Sequence, residues 1–225
     1  MARLKGGKRR TPSSRAWLER QISDPYVARA RREGYRSRAA YKVAEIDDRF
    51  HLLKPGARVV DLGAAPGGWS EVAAKRVGTG GRVIALDILD LKPIAGVDFI
   101  KLDFLEASAP ERLKSMLGGK ADVVLSDMAA NTTGHKRTDH LRIVHLAELA
   151  AAYAGDVLAP GGWFLCKLFQ GGETGELVTQ LKRDFAMVRH IKPQSSRADS
   201  SELYVLATGF RGARSDREEP PDVET

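Results

Sequence analysis

The sequence has almost no sulfur chemistry to offer: one cysteine, Cys166, in 225 residues. A lone thiol can close no internal disulfide and cannot build a cysteine-rich metal site, so no metal is expected and a reducing compartment fits. Long apolar runs are missing too, none approaching the roughly 20 residues that a membrane-spanning helix needs. The opening "MARLKGGKRR" lacks the apolar segment of a secretory signal, and its paired glycines do not suit an amphipathic mitochondrial presequence. A soluble, cytoplasmic protein with no membrane partner is expected. Aromatic residues are only 7%, but hydrophobic residues are 43%, enough for one sizeable core without a second domain.

Acidic residues are scarce at the start. Residues 1–38 hold twelve lysines and arginines against Glu19, Asp24 and Glu33, a balance of +9, whereas the whole chain carries +7 and the remainder therefore sums to −2. A basic arm on a near-neutral body suits a phosphate backbone, because each neutralised phosphate releases counterions; a solvated tail that aids solubility is the plainer alternative. The other end, "RGARSDREEPPDVET", is polar and proline-bearing, a composition that resists ordering. The expected organisation is a basic, partly disordered arm over residues 1–22, one domain over 23–212 and a disordered tail over 213–225.

Within that domain the pattern alternates. Ser23 or Asp24 with Pro25 starts one helix, and Ser37 starts another through "RAAYKVAEIDDRF". Short β-rich runs follow at "ARVVDL", "GRVIALD", "VDFIKLD", "ADVVLSD", "GWFLCKLF" and "SELYVLATGF", with helical stretches at 68–78, 109–117, 138–158 and 174–184. Strands alternating with helices predict an α/β fold, a mostly parallel sheet covered on both faces.

Such sheets bind ligands at the carboxyl ends of their strands. The first run ends in Asp61 and the turn Gly63, Ala64, Ala65, Pro66, Gly67, Gly68. Its spacing is G-x-x-x-G-G, not the dinucleotide G-x-G-x-x-G, and no P-loop lysine follows, which argues against NAD and ATP. The next run ends at Asp87, 24 residues after Gly63, where a carboxylate can take both ribose hydroxyls of a nucleoside. The third ends at Asp103, placed to accept from an adenine amino group. Each aspartate alone is an ordinary cap or turn residue; three in succession behind a glycine turn point to a nucleoside held without a phosphate cradle, hence to S-adenosylmethionine. The fourth run ends at Asp127, the fifth at Lys167, and the last begins at Glu202. Lys167 interrupts an apolar strand. It is either a general base or a strand-end lysine whose head reaches solvent.

Seven separated stretches, "SRAAYKVAEID", "DLGAAPGGWS", "ALDILD", "KLDF", "LSDMAAN", "FLCKLFQG" and "SSELYVLATGF", resemble in order the FtsJ-like (RlmE) family of large-subunit ribosomal RNA uridine-2′-O-methyltransferases. The resemblance runs from about Arg15 to Gly212. It implies a Rossmann-like class I methyltransferase fold, a seven-stranded sheet with an antiparallel last strand, and S-adenosylmethionine as cofactor. It carries a Lys-Asp-Lys-Glu tetrad onto Lys42, Asp127, Lys167 and Glu202, and cofactor contacts onto Gly67 and Trp69, with Gly63 and Gly68 in the same turn, then Asp87, Asp103 and Asp127. The implied substrate is a uridine in the A loop of 23S rRNA, within the large ribosomal subunit, and the implied enzyme is a monomer without metal. In that scheme Lys167 is the base, Asp127 and Glu202 orient the lysines and the sulfonium, and Lys42 keeps Lys167 deprotonated and positions the ribose.

Three rivals stand beside it: an NAD-dependent oxidoreductase, which lacks its phosphate-binding turn; a non-catalytic RNA-binding assembly factor; and a 2′-O-methyltransferase of another RNA, such as tRNA or an mRNA cap. His135, His140 and His145, spaced by five, do not share a helix face, so a surface or loop role is expected rather than a metal site. Residues 131–139, "NTTGHKRTD", read as a mobile loop beside Asp127. Trp17, Tyr26 and Tyr35 lie among arginines and either stack on RNA bases or pack the N-terminal helices.

Overall fold

Asp24 opens the first helix, α1 (Pro25–Glu33), by accepting a hydrogen bond from the Tyr26 N–H at 3.0 Å, and Gly34 closes it in the left-handed region. The structure is a computed structural model that describes residues 24–130, 134–170 and 174–212. The expected arm and tail, Trp17 and residues 131–133 of the expected loop lie outside the described residues. The second helix, α2 (Ala39–Phe50), has Arg38 as its N-cap with no side-chain cap. Ser37 contributes only its carbonyl, to the Ala40 N–H at 3.2 Å, while its hydroxyl is buried without a partner.

The chain then alternates: β1 (Arg58–Leu62), α3 (Gly68–Val77), β2 (Arg82–Asp87), β3 (Val97–Lys101), α4 (Ala109–Leu117), β4 (Ala121–Ser126), α5 (Lys136–Val157), β5 (Leu158–Phe169), α6 (Gly175–Asp184), β6 (Phe185–Ile191) and β7 (Glu202–Phe210). The seven strands form one sheet in the order β3-β2-β1-β4-β5-β7-β6. β1 to β5 pair in parallel, and β7 runs antiparallel to both neighbours. The strand order reverses between β1 and β4, the place where open α/β sheets bind ligands.

Two strands differ from expectation. β6 has no counterpart among the β-rich runs. It is an edge strand on which Ala186, Met187, Arg189 and His190 are exposed, so no buried run or clean alternation marks it. β5 starts at Leu158 instead of Gly162, because "LAPGG" pairs onward past a register shift opposite Ala121 and Val123. The expected loop is also shorter: α5 begins at Lys136.

Each strand alternates between two cores. Val60, Leu62, Ile84, Leu86, Val124 and Phe164 face α4, α5 and α6. Val59, Val83, Val123, Leu125, Leu165 and Leu206 face α2 and α3. Cys166 is 2% exposed on β5, between β4 and β7. No described helix is long and apolar enough to cross a membrane.

Candidate active site

The period of two that sorts the core also sorts the polar residues. Asp61 is in phase with Val59, Asp87 with Val83 and Lys167 with Leu165, so each projects from its strand toward the α2–α3 face, and Asp127 follows immediately after β4. On β7 the register places Tyr204 opposite Lys167, and directly opposed residues share a face. Glu202, two residues earlier, shares it too. Because β7 runs in reverse, its beginning lies at the edge where the parallel strands end. Helix α2 covers this face, and its buried Lys42 reaches the same edge.

These residues form one hydrogen-bonded chain. Lys167 Nζ donates to the Asp127 carbonyl at 2.6 Å and lies 3.1 Å from Asp127 Oδ1. The Tyr204 hydroxyl lies 3.5 Å from Asp127 Oδ1 and 2.7 Å from Glu202 Oε1, which also takes Lys42 Nζ at 2.5 Å. Burial pushes the Glu202 carboxyl up, but Lys42, Tyr204 and Lys167 outweigh it and hold the group below the ordinary glutamate range. Burial drives the Tyr204 phenol far above its usual value, so it remains a donor. Lys42, Asp127, Lys167 and Glu202 are thus brought together. Tyr204, which joins their two halves, was not singled out from sequence, because its place opposite Lys167 is set by strand pairing.

The glycine turn lies alongside. Gly63 and Ala64 both donate to the Leu86 carbonyl, at 2.9 and 3.1 Å, and Asp127 N donates to the Leu62 carbonyl at 3.0 Å, which ties the ends of β1, β2 and β4 together. Gly63 has φ +77°, and a Cβ there would sit 2.7 Å from Met128 N. Gly67 and Gly68 are buried at the start of α3. Trp69 is 2% exposed; its indole N–H donates to the Ala39 carbonyl at 2.9 Å and its ring lies 5.5 Å from that of Tyr204. Its side chain is therefore spent on fastening α3 to α2 and β7.

Asp87 accepts the backbone N–H of Ala65 and of Leu89, each at 2.8 Å, so it shapes the turn that it faces. Asp103 is exposed beyond β3 and accepts Leu105 N at 2.9 Å. Ile88, Leu89 and Leu105, beside these aspartates, are exposed apolar side chains, a feature the sequence reading passed over. Asp61 is fully buried: Oδ2 takes the Ser70 hydroxyl at 2.5 Å, and Oδ1 has no partner. Burial, against the Ser70 hydrogen bond and with Asp127 and Asp87 adding to it, pushes this carboxyl up to about 7.

On the flank, Arg36 clamps the segment after β2 by donating to the carbonyls of Lys92 and Pro93 at 3.0 and 2.6 Å. Tyr26 and Tyr35 are half-buried against Tyr41, with ring centroids 5.4 and 5.3 Å away, so they pack the N-terminal helices. His135 sits at the start of α5, with His140 and His145 along it. Among the described residues no group of three or more His, Cys, Asp or Glu is arranged to hold a metal.

A family described as FtsJ-like methyltransferase matches residues 35–210. Ribosomal RNA large subunit methyltransferase E of Azorhizobium caulinodans is 59% identical over 223 residues, 98% of this chain and 93% of its own length. The protein of the same name from Rhodopseudomonas palustris strain BisB18 is 66% identical over 212 residues, 93% of this chain and 89% of its own. Among solved structures, a ribosomal RNA methyltransferase from Plasmodium falciparum superposes with a TM-score of 0.71 at 32% identity, covering 79% of this chain and all of that one (100%). From β1 to β7, then, the chain belongs to the FtsJ-like methyltransferase family.

Proposed function

We propose that this chain transfers the methyl group of S-adenosylmethionine to the ribose 2′-hydroxyl of a uridine in the A loop of 23S rRNA, within the large ribosomal subunit. The observation that carries this reading is the unbroken polar chain Lys167–Asp127–Tyr204–Glu202–Lys42 beside the glycine turn. The relatives' shared name, ribosomal RNA large subunit methyltransferase E, supports the substrate.

The residues around the turn fit the cofactor. It carries cationic groups and no phosphate, and the turn is ringed by carboxylates, one of which keeps a buried oxygen without a partner. Gly63, Gly67 and Gly68 would let its methionine end approach the backbone, with Trp69 contributing through its main chain. Asp87 would take the ribose hydroxyls and Asp103 the adenine amino group, with the exposed Ile88, Leu89 and Leu105 offering apolar surface to the base. Asp127 would face the charged end. When bound, the cofactor supplies an activated methyl group that needs no further activation by the protein.

The protein's own task is then alignment and one proton transfer. A 2′-hydroxyl is a very weak acid, and Lys167, acting as the free amine, takes its proton and becomes an ammonium as the oxygen becomes a nucleophile. Asp127 fixes Lys167 through two contacts. Lys42, held by Glu202, brings a positive charge to the same edge, which favours the uncharged amine on Lys167, and positions the ribose. The direct test is transfer of labelled methyl from S-adenosylmethionine to large subunits from a strain lacking the gene, with tRNA in parallel. Transfer to the subunit at the A-loop uridine is expected; transfer to tRNA instead, or RNA binding without transfer to either, overturns the reading.

Two further results are expected. Asp87→Ala should weaken cofactor binding by about 1–3 kcal/mol, the cost of leaving polar partners unmet, read by calorimetry; unchanged affinity removes Asp87 from the site. Deleting residues 1–14, which hold five of the arm's basic side chains, should weaken RNA binding and flatten its salt dependence without touching cofactor affinity. An unaltered salt slope returns the arm to a solvated tail.

A further inference from the structure

Asp61 is the one group at the turn that the proposed mechanism does not use. Its carboxyl is fully buried, yet only one oxygen is satisfied, by Ser70 from α3. A buried carboxylate with an orphaned oxygen is costly, whereas a carboxylic acid in the same place is not. The surroundings deepen this preference. Asp127 after β4 and Asp87 at the end of β2 are the charged groups whose fields raise it, while α3 contributes the Ser70 hydroxyl and backbone N–H, which act the other way without overcoming burial. On β5 the Lys167 side chain is already held by Asp127. The ligand-free site therefore gathers carboxylates around a buried acid, and Arg36, whose stem lies against Gly67, turns its guanidinium away to the carbonyls of Lys92 and Pro93.

We propose that Asp61 holds a proton in the cofactor-free protein and gives it up when the cationic methionine end of the cofactor settles against the glycine turn, so that cofactor binding and proton release are coupled. The inference rests on S-adenosylmethionine as the cofactor. Asp61 acts here through the electric field and needs no contact with the ligand. A positive charge brought beside Asp127 and Asp87 cancels the repulsion that kept the proton on Asp61, and the ionised group then strengthens the hold on that charge. Binding to the ionised turn is stronger than binding to the protonated one. The turn is thus a charge-matched cradle only once its buried acid has ionised.

The test is calorimetric titration of the intact protein with S-adenosylmethionine in two buffers of different ionisation enthalpy, from about pH 6 to about pH 8, the range that brackets the carboxyl. Close to one proton should be released at about pH 6 and about half of one at about pH 7, and affinity should rise by up to about tenfold per pH unit below that midpoint; above about pH 8 release from this group should cease. The ligand's own α-amine titrates near this range and contributes equally in all variants, so the comparison is with Asp61→Asn, which should bind with the Asp61-dependent release gone. Ser70→Ala removes the hydrogen bond that favours the ionised form, and should move the linkage to higher pH. Failure to bind the cofactor at all overturns the cofactor assignment and this inference together. Binding with no proton release by the unmodified protein, or with release undiminished in Asp61→Asn, overturns the inference alone. Should Asp61→Asn fold poorly, the Ser70→Ala shift decides, and an unmoved midpoint counts against it.

Discussion

Lys167→Ala lowers single-turnover methyl transfer by about 10²–10⁴-fold, the usual contribution of a positioned general base, while cofactor affinity stays close to that of the unmodified protein. The variant removes the group that takes the ribose proton and none of those assigned to the cofactor. Lys167→Arg does not rescue it. A guanidinium keeps its proton at any usable pH, and its planar fork cannot reproduce a point contact at 2.6 Å to the Asp127 carbonyl. The measurement is transfer of labelled methyl to undermethylated large subunits, with the cofactor's dissociation constant taken on the same preparations. Near-normal turnover in the alanine variant excludes Lys167 as the base and leaves an enzyme that only aligns two substrates. Lost turnover accompanied by lost cofactor binding makes Lys167 a support of the turn instead.

Gly63→Ala destabilises the fold by about 2–5 kcal/mol, from roughly 1–2 for a side chain in the left-handed region and 1–3 for forced repacking. The added methyl meets backbone, Met128 N at 2.7 Å and Cα at 2.8 Å, which cannot swing away as a flexible side chain would. Gly96 is the internal control. It has the same φ of +77°, but a Cβ there would meet only the Ala74 methyl at 3.7 Å, so Gly96→Ala carries the conformational cost alone. Denaturant unfolding of both variants isolates the close approach as their difference. Equal losses would show that β1 and the segment after Asp127 are not pressed together. Activity adds a second readout, because whatever moves Met128 also moves its neighbour Asp127.

Much of this site was legible before any coordinates. In "VVDL", "VIALD", "VVLSD" and "FLCKL" a charged residue ends or interrupts an apolar run, which marks Asp61, Asp87, Asp127 and Lys167 as residues at strand ends; that they share one side of the sheet needs the strand register. Other features depend on contacts far apart in sequence. That Glu202 reaches this edge follows from the reversed direction of β7, which the resemblance implied but no local pattern encodes. Tyr204 reads as one more core aromatic until its strand register with Lys167 is known. Trp69, read as a ligand contact, turns its indole to the Ala39 carbonyl, because α2 lies directly over α3. β6 was invisible for the opposite reason: an edge strand with exposed Arg189 and His190 has no buried periodicity to betray it.

The lone sulfur of the molecule has a use unrelated to catalysis. Cys166 lies in the middle of the sheet, and burial pushes its thiol up to about 12. In the closed protein the thiolate that alkylating reagents attack is both scarce and out of reach. Labelling therefore requires the helices packed on the Cys166 face to part from the sheet, and its rate counts openings of that core. With no second thiol in the sequence to confuse the signal, the purified protein carries its own unfolding clock, one that can be read at working temperature and without denaturant.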